Sequence, residues 1–313
     1  MSKPSVGTSA GAVAEGGIAP TAAGSSCCGG VGVEPSRDGA GRTNDPESVV
    51  SQVRARYAEI AETSGSCCGP SPCGGDRSAM AVQVGYGAEQ LSEAPEDANL
   101  GLGCGAPLTH LAPRPGETVL DLGSGPGLDA FLAAKAVGPA GRVIGVDMTR
   151  AMVERARKTA QKAGLTQVEF REGRLEALPV EDASIDAVTS NCVINLVPDK
   201  ATVFREVARV LKPGGRMVVS DIVLDGALPE GVAQDLAAWV GCVAGAMQRQ
   251  DYLDLVESAG LRPVEVLRDD DHGAAVEVAA PDEARALLER TGTRREDLVG
   301  KVRSITIRAV RPA

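Results

Sequence analysis

The chain has 313 residues, and its 32 Lys and Arg against 42 Asp and Glu leave a formal charge of −10. That length suits one large α/β domain with appendages, or two domains, and is ample to bury a core. The acidic balance excludes a nucleic-acid partner, which needs clustered Lys and Arg. No stretch reaches the roughly 18 to 20 apolar residues of a membrane span, and residues 1–17 lack the apolar core of a signal peptide, so the expectation is a soluble, cytoplasmic protein with no membrane partner.

Residues 1–44 are rich in Gly, Ala, Ser and Pro without apolar periodicity, the composition of a disordered tail. Asp45-Pro46 then reads as an N-cap followed by proline in the first turn, opening an amphipathic helix through Val49, Val50, Val53, Tyr57 and Ile60. A Gly/Ser/Pro loop at 63–75 carries Cys67, Cys68 and Cys73, and a glycine-rich stretch, Gly101-Leu102-Gly103-Cys104-Gly105, precedes the first strand. From 117 onward strand and helix patterns alternate, which predicts a mainly parallel sheet with helices on both faces. Strands are expected at 118–122, 142–147, 168–171, 185–190 and 216–222, and helices at 128–137, 149–163, 200–211, 231–247 and 250–259, with Gly164, Pro213 and Gly260 as stops. The apolar alternations at 263–267 and 303–309 form a terminal antiparallel pair around a helical insertion at 282–290. The expected organisation is therefore a tail (1–44), a helix with cysteine-bearing loops (45–115), a ligand-binding α/β domain (116–225) and a C-terminal α/β extension (226–313).

Asp121-Leu122-Gly123-Ser124-Gly125-Pro126-Gly127 follows the first strand. Its glycines allow a tight turn and close backbone approach to a ligand, and the next helix start favours an anionic group. A dinucleotide fingerprint places its third glycine one residue later, where Leu128 stands; the spacing suits a nucleoside with a carboxylate tail. Asp147 ends the next strand about 20 residues on, where an acid can accept ribose hydroxyls. With Leu211-Lys212-Pro213-Gly214-Gly215 as a helix stop leading into a strand, residues 118–222 resemble the Rossmann-like S-adenosylmethionine-dependent methyltransferases. The resemblance implies that Asp121, Gly123 and Gly125 line the methionine end, Asp147 the ribose, and Met148, Leu175 and Glu176 the adenine, with Ser124 and Asn191 completing the cofactor set.

Eight cysteines in a reducing compartment read as binding or redox thiols more than as a disulfide framework. Cys192 falls in Ser190-Asn191-Cys192-Val193-Ile194-Asn195-Leu196, at the carboxyl end of a central strand, the sheet edge at which open α/β folds bind ligands. Cys242 lies in Gly241-Cys242-Val243-Ala244-Gly245, inside the apolar run expected to be helical. Taken singly, each cysteine is also compatible with simple packing. A closed zinc site is disfavoured because Cys104, Cys192 and Cys242 are solitary, without the close pairs that such sites use.

Together these contexts resemble the arsenite S-adenosylmethionine methyltransferases, over residues 53–247. Ala106 and Leu102 depart from the expected polar and aromatic neighbours, and Cys27-Cys28 has no counterpart. The resemblance implies a catalytic set of Cys67, Cys104, Cys192 and Cys242, of which Cys104, Cys192 and Cys242 hold trivalent arsenic as substrate. It implies S-adenosylmethionine as methyl donor, and arsenite or its thiol conjugates as substrate. Cys67 or Cys68 then serves as a mobile redox thiol reset by a reductant such as glutathione or thioredoxin. Two other readings stay open: a methyltransferase for an organic small molecule whose thiols only pack, and a non-catalytic, thiol-based arsenite-binding protein.

Overall fold

The computed structural model describes residues 45–63, 77–235, 243, 245–272 and 281–313. The chain divides into two compact units, residues 1–42 and 43–313, and every described residue belongs to the second. The expected tail and most of the 63–75 loop, with Cys27, Cys28, Cys67, Cys68 and Cys73, lie outside the described residues, as does Cys242.

The first helix, α1 (Pro46–Thr63), starts as its sequence dictates: the Asp45 carboxylate accepts the Ser48 N–H at 3.1 Å. Three short helices follow, α2 (Arg77–Gln83), α3 (Ala88–Ser92) and α4 (Pro107–Leu111). None was expected, because five to seven residues are too few for a 3.6-residue apolar period to show. The alternating core then runs β1 (Thr118–Leu122), α5 (Leu128–Val137), β2 (Arg142–Asp147), α6 (Arg150–Lys162), β3 (Val168–Glu172), β4 (Ile185–Asn191), α7 (Lys200–Val210) and β5 (Leu211–Leu224). Beyond it come α8 (Glu230–Ala233), β6 (Met247–Gln248), α9 (Arg249–Ser258), β7 (Val264–Asp271), α10 (Pro281–Thr291) and β8 (Val302–Val310).

The strands form one eight-stranded sheet in the order β3-β2-β1-β4-β5-β8-β7, with β6 paired to β5. β1 to β6 pair in parallel, while β8 runs antiparallel to both β5 and β7. Side chains alternate across the sheet. Leu120, Leu122, Val188 and Met217 enter a core with Phe204 of α7 and Tyr252 of α9. Val119, Val143, Ala187 and Val218 enter another with α4, α5 and α6. Helices therefore cover both faces, as the alternating pattern predicts, and the α/β class expected from sequence is the observed one. Strand order reverses between β1 and β4, so the loops after their carboxyl ends open the crevice at which such sheets bind ligands.

The expected helix at 231–247 is corrected at its described ends, residues 236–242 and 244 lying outside the described residues. α8 ends at Ala233, Val243 and residues 245–246 are a bend and turn, and Met247–Gln248 is a strand paired with Val223 and Leu224. The Gln248 side-chain amide makes two bonds with the Gly226 backbone, at 3.2 and 3.1 Å, which hold this segment extended. β5 begins at Leu211 instead of 216, because Leu211 already pairs with Ile185 across a register shift. No described helix is long and apolar enough to cross a membrane.

Candidate active site

The glycine loop after β1 is closely fitted. Gly123 has φ +63°, and a Cβ there would stand 2.3 Å from Val193 Cγ1, so any side chain would displace the segment that follows Cys192. Asp147, at the end of β2, ties the loop to the next helix by accepting the N–H groups of Gly125 at 2.9 Å and Thr149 at 2.7 Å. Burial pushes its carboxyl up, and those two backbone donors restrain the rise. The Thr149 side chain is a third donor to this carboxylate, which still keeps acceptor capacity for a ligand hydroxyl.

Around the loop, buried polar atoms have no hydrogen-bond partner among the described residues: Asp121 Oδ2, Ser124 Oγ and Thr189 Oγ1. Asp121 and Thr189 are register partners on β1 and β4. Burial, then the neighbouring Asp129 and Asp147, push the Asp121 carboxyl well up. Buried carboxylates and orphaned acceptors call for a ligand that brings donors and positive charge. The amino-acid end of S-adenosylmethionine, with its ammonium and sulfonium, meets that demand, and the residues present fit it.

Asn191 connects this crevice to the thiols. Its Oδ1 accepts the N–H of Cys104 at 3.1 Å and of Gly105 at 3.3 Å. Its Nδ2 donates to the Gly105 carbonyl at 2.7 Å, the Tyr86 hydroxyl at 3.0 Å and Asp129 Oδ2 at 3.5 Å. Tyr86 in turn donates to Asp129 at 2.6 Å. Burial raises the Asp129 carboxyl to about 6, with Tyr86 and Asn191 holding it from going further.

Cys104 and Cys192 are both buried, and neither is in a disulfide. Their sulfurs and a carboxylate oxygen of Asp221 all lie within 4.8 Å of one another. Cys192 reaches this place through a left-handed backbone, φ +60°, with its N–H donated to the Ser220 carbonyl at 2.8 Å. The conformation is rare for a residue with a Cβ and marks a site where the surroundings override local preference. The Cys104 carbonyl is held by the Ser304 hydroxyl at 2.7 Å. Asp221 accepts the Asn195 side-chain amide at 2.8 Å and the Tyr252 hydroxyl at 3.1 Å. Burial pushes its carboxyl up to about 7, against the opposing pull of the Ile222 N–H and the Lys200 charge.

Among the sequence-predicted residues, Asp121, Gly123, Ser124, Gly125, Asp147 and Asn191 meet at the β1 and β4 ends, and Cys104 and Cys192 meet beside them. Met148 packs against the cluster that contains both thiols. Leu175 is buried in the core with Ile144 and Val146, and Glu176 pairs with Arg174 at 2.7 Å. Cys67 and Cys242 lie outside the described residues, although Val243, the neighbour of Cys242, packs against the Cys104 and Cys192 cluster. Sequence reasoning missed Asp221, Tyr252, Tyr86, Asp129 and the role of Asn195. A lone carboxylate inside the apolar strand Met217-Val218-Val219-Ser220-Asp221-Ile222-Val223 was the available signal for Asp221.

Residues 113–260 match a family model described as a methyltransferase domain. An arsenite methyltransferase from Halobacterium salinarum is 42% identical over 279 residues, covering 86% of this chain and 68% of that protein. Another from Aquipseudomonas alcaligenes is 40% identical over 174 residues, covering 53% of this chain and 50% of that protein. The crystal structure of an arsenic(III) S-adenosylmethionine methyltransferase from Chlamydomonas reinhardtii aligns with a TM-score of 0.54 at 33% identity, over 74% of this chain and 72% of that one. Identity of this grade across most of the sequence, on a matching sheet, reaches well beyond shared architecture: the chain belongs to the arsenite methyltransferase family and is an S-adenosylmethionine-dependent methyltransferase.

Proposed function

We propose that the chain methylates trivalent arsenic held by Cys104, Cys192 and Cys242, at the junction of the β4 end and the glycine loop. The observation that supports this reading is the pair of buried thiols, Cys104 and Cys192, joined through Asn191 to the crevice of orphaned acceptors. Soft thiolates are the natural ligands of trivalent arsenic. As each As–S bond forms, the thiol proton joins an arsenite hydroxyl and leaves as water. Three sulfur bonds leave the arsenic lone pair as nucleophile, and it carries no proton, so the transfer requires no general base. S-adenosylmethionine, when bound, supplies the electrophilic sulfonium methyl. Asp147 would hold its ribose, Asp121, Gly123, Ser124, Gly125 and Asn191 its methionine end, and Met148, Leu175 and Glu176 its adenine.

Methyl transfer leaves arsenic formally pentavalent. Two protein thiolates then give up an electron pair and become a disulfide, returning arsenic to the trivalent state. A cellular thiol reductant such as glutathione or thioredoxin supplies two electrons and two protons to restore the thiols, with Cys67 or Cys68 as the exchanging partner. That reset requires a reducing compartment, which the cytoplasm provides.

The test is product speciation with arsenite, S-adenosylmethionine and a thiol reductant. The wild type is expected to yield methylated arsenic, and Cys192→Ser to lose on the order of a hundredfold in rate, the scale of a reactant misplaced by about an ångström. Serine keeps the size but presents a hard oxygen. If Cys192→Ser methylates arsenic at the wild-type rate, the thiols only pack.

A further inference from the structure

Three sulfurs satisfy pyramidal arsenic, so the buried carboxylate beside two of the proposed ligands has no part in holding it. Asp221 nonetheless presents an oxygen within 4.8 Å of both Cys104 and Cys192 sulfurs. Zinc binds sulfur at about 2.3 Å and carboxylate oxygen at about 2.0–2.2 Å, which places tetrahedral donors roughly 3.5 to 3.8 Å apart. From 4.8 Å or less, the ligand atoms need to close by at most roughly 1.0 to 1.3 Å to meet that spacing.

Orientation is also built in. Asp221 Oδ1 accepts from Asn195 Nδ2 at 2.8 Å and the Ile222 N–H at 3.0 Å, while Oδ2 accepts from the Asn195 N–H at 3.2 Å and the Tyr252 hydroxyl at 3.1 Å. Oδ2, with the longer pair, is the oxygen to yield to a cation, and Asn195 keeps hold of Oδ1. Metal-ligating carboxylates are commonly fixed by such outer hydrogen bonds. Charge separates the two occupants. Arsenite exchanges hydroxyls for thiolates as a neutral adduct and adds no charge beside the buried carboxylate, which has only its hydrogen bonds and the Lys200 charge, whereas a dication offsets much of the negative charge of the thiolates and the carboxylate together.

We propose that Cys104, Cys192 and Asp221 supply three ligands of a zinc(II) site, in which zinc occupies the arsenic place and blocks methylation. The proposal rests on the thiol-pocket reading above. Binding displaces the two thiol protons to solvent and forms two Zn–S bonds and one Zn–O bond, with no change of oxidation state.

The reduced, metal-free full chain is titrated with zinc against a chromophoric chelator, and arsenite binding is measured separately. The wild type is expected to bind one zinc equivalent more than Cys192→Ser, and saturating arsenite to expel that equivalent. The remaining cysteines are common to both proteins and cancel in the difference. Asp221→Asn is expected to weaken this zinc by about tenfold or more while its arsenite affinity stays within about threefold. Zinc that is indifferent to arsenite, or equally tight in Asp221→Asn, overturns the proposal. Should Asp221→Asn not fold, cobalt(II) in the wild type decides. Intense tetrahedral visible bands with thiolate charge transfer, both erased by arsenite, support the site, and their absence overturns it. Unchanged arsenite binding in Cys192→Ser would overturn the thiol pocket itself, a different result from arsenite bound normally and zinc not competing.

Discussion

Asp147 shows how a single side chain serves two states. In the structure its carboxylate closes the glycine loop through Gly125 and Thr149, and with the cofactor bound it would also receive the ribose hydroxyls. A charge-assisted hydrogen bond is worth roughly 1.5–3 kcal/mol, so Asp147→Ala is expected to weaken S-adenosylmethionine by about ten- to a hundredfold and leave arsenite binding nearly unchanged. Calorimetry with each ligand checks this, and equal loss of both would refute the ribose assignment. Asp129 gives a pH signature. Burial raises its carboxyl from 3.8 to about 6, so between those values the folded chain binds more protons than the unfolded one. Its contribution is fully present below the unfolded value and is lost as pH rises through about 6. The melting-temperature difference, wild type minus Asp129→Asn, is therefore expected to fall between pH 4 and pH 7. A flat difference would show that the carboxyl is not perturbed by its surroundings.

At the scale of elements, most strands and long helices were legible from periodicity and punctuation. β1, β2 and α5 have the expected limits, because each is a mainly apolar run ended by glycine or an acid. The strand at Met247–Gln248 was not legible, because the run before it matches a buried helix in composition, while bonds between Gln248 and Gly226 hold those two residues extended. In the site, Cys104, Cys192, Asp121 and Asp147 announced themselves by position relative to strand ends. Tyr86 and Tyr252 did not, because their partners Asp129 and Asp221 are 43 and 31 residues away and no local pattern joins them. Arg216 is another such tie. It makes paired 2.8 Å bonds to Glu117 and bonds the carbonyls of Leu111 and Ala112, clamping β5 to the end of α4 and the start of β1. Burial raises the Glu117 carboxyl, but its bonds to Arg216 and to the Arg114 N–H outweigh this and hold it below the ordinary range. Arg216→Met is expected to destabilise the protein by about 2–4 kcal/mol, near the lower end for breaking a largely buried pair, as read by denaturant unfolding. A change below about 0.5 kcal/mol would place this pair with the inconsequential surface ones.

Across the whole molecule, the site is a product of strand order. Cys104 precedes the sheet, Cys192 leaves β4 and Asp221 lies within β5, and the parallel pairing of β4 with β5 gathers them on the edge that also carries the loop after β1. The alternating pattern made that edge predictable, but the register that sets Asn191 opposite Ser220 did not appear in any local motif.

On the proposed assignment, Asn191 stands between the cofactor crevice and the thiol pocket: one end of its amide carries the backbone of Cys104, and the other leans on Tyr86 and Asp129. Whichever guest arrives first immobilises a wall of its neighbour's room. Reciprocity then follows from thermodynamics alone: S-adenosylhomocysteine and arsenite should tighten one another by the same factor, expected at about fivefold or more. In Asn191→Ala that factor should fall to near one even if each guest still enters separately. Calorimetric titration of each guest with and without the other measures it, and a factor of one in the wild type would mean that the two compartments ignore each other.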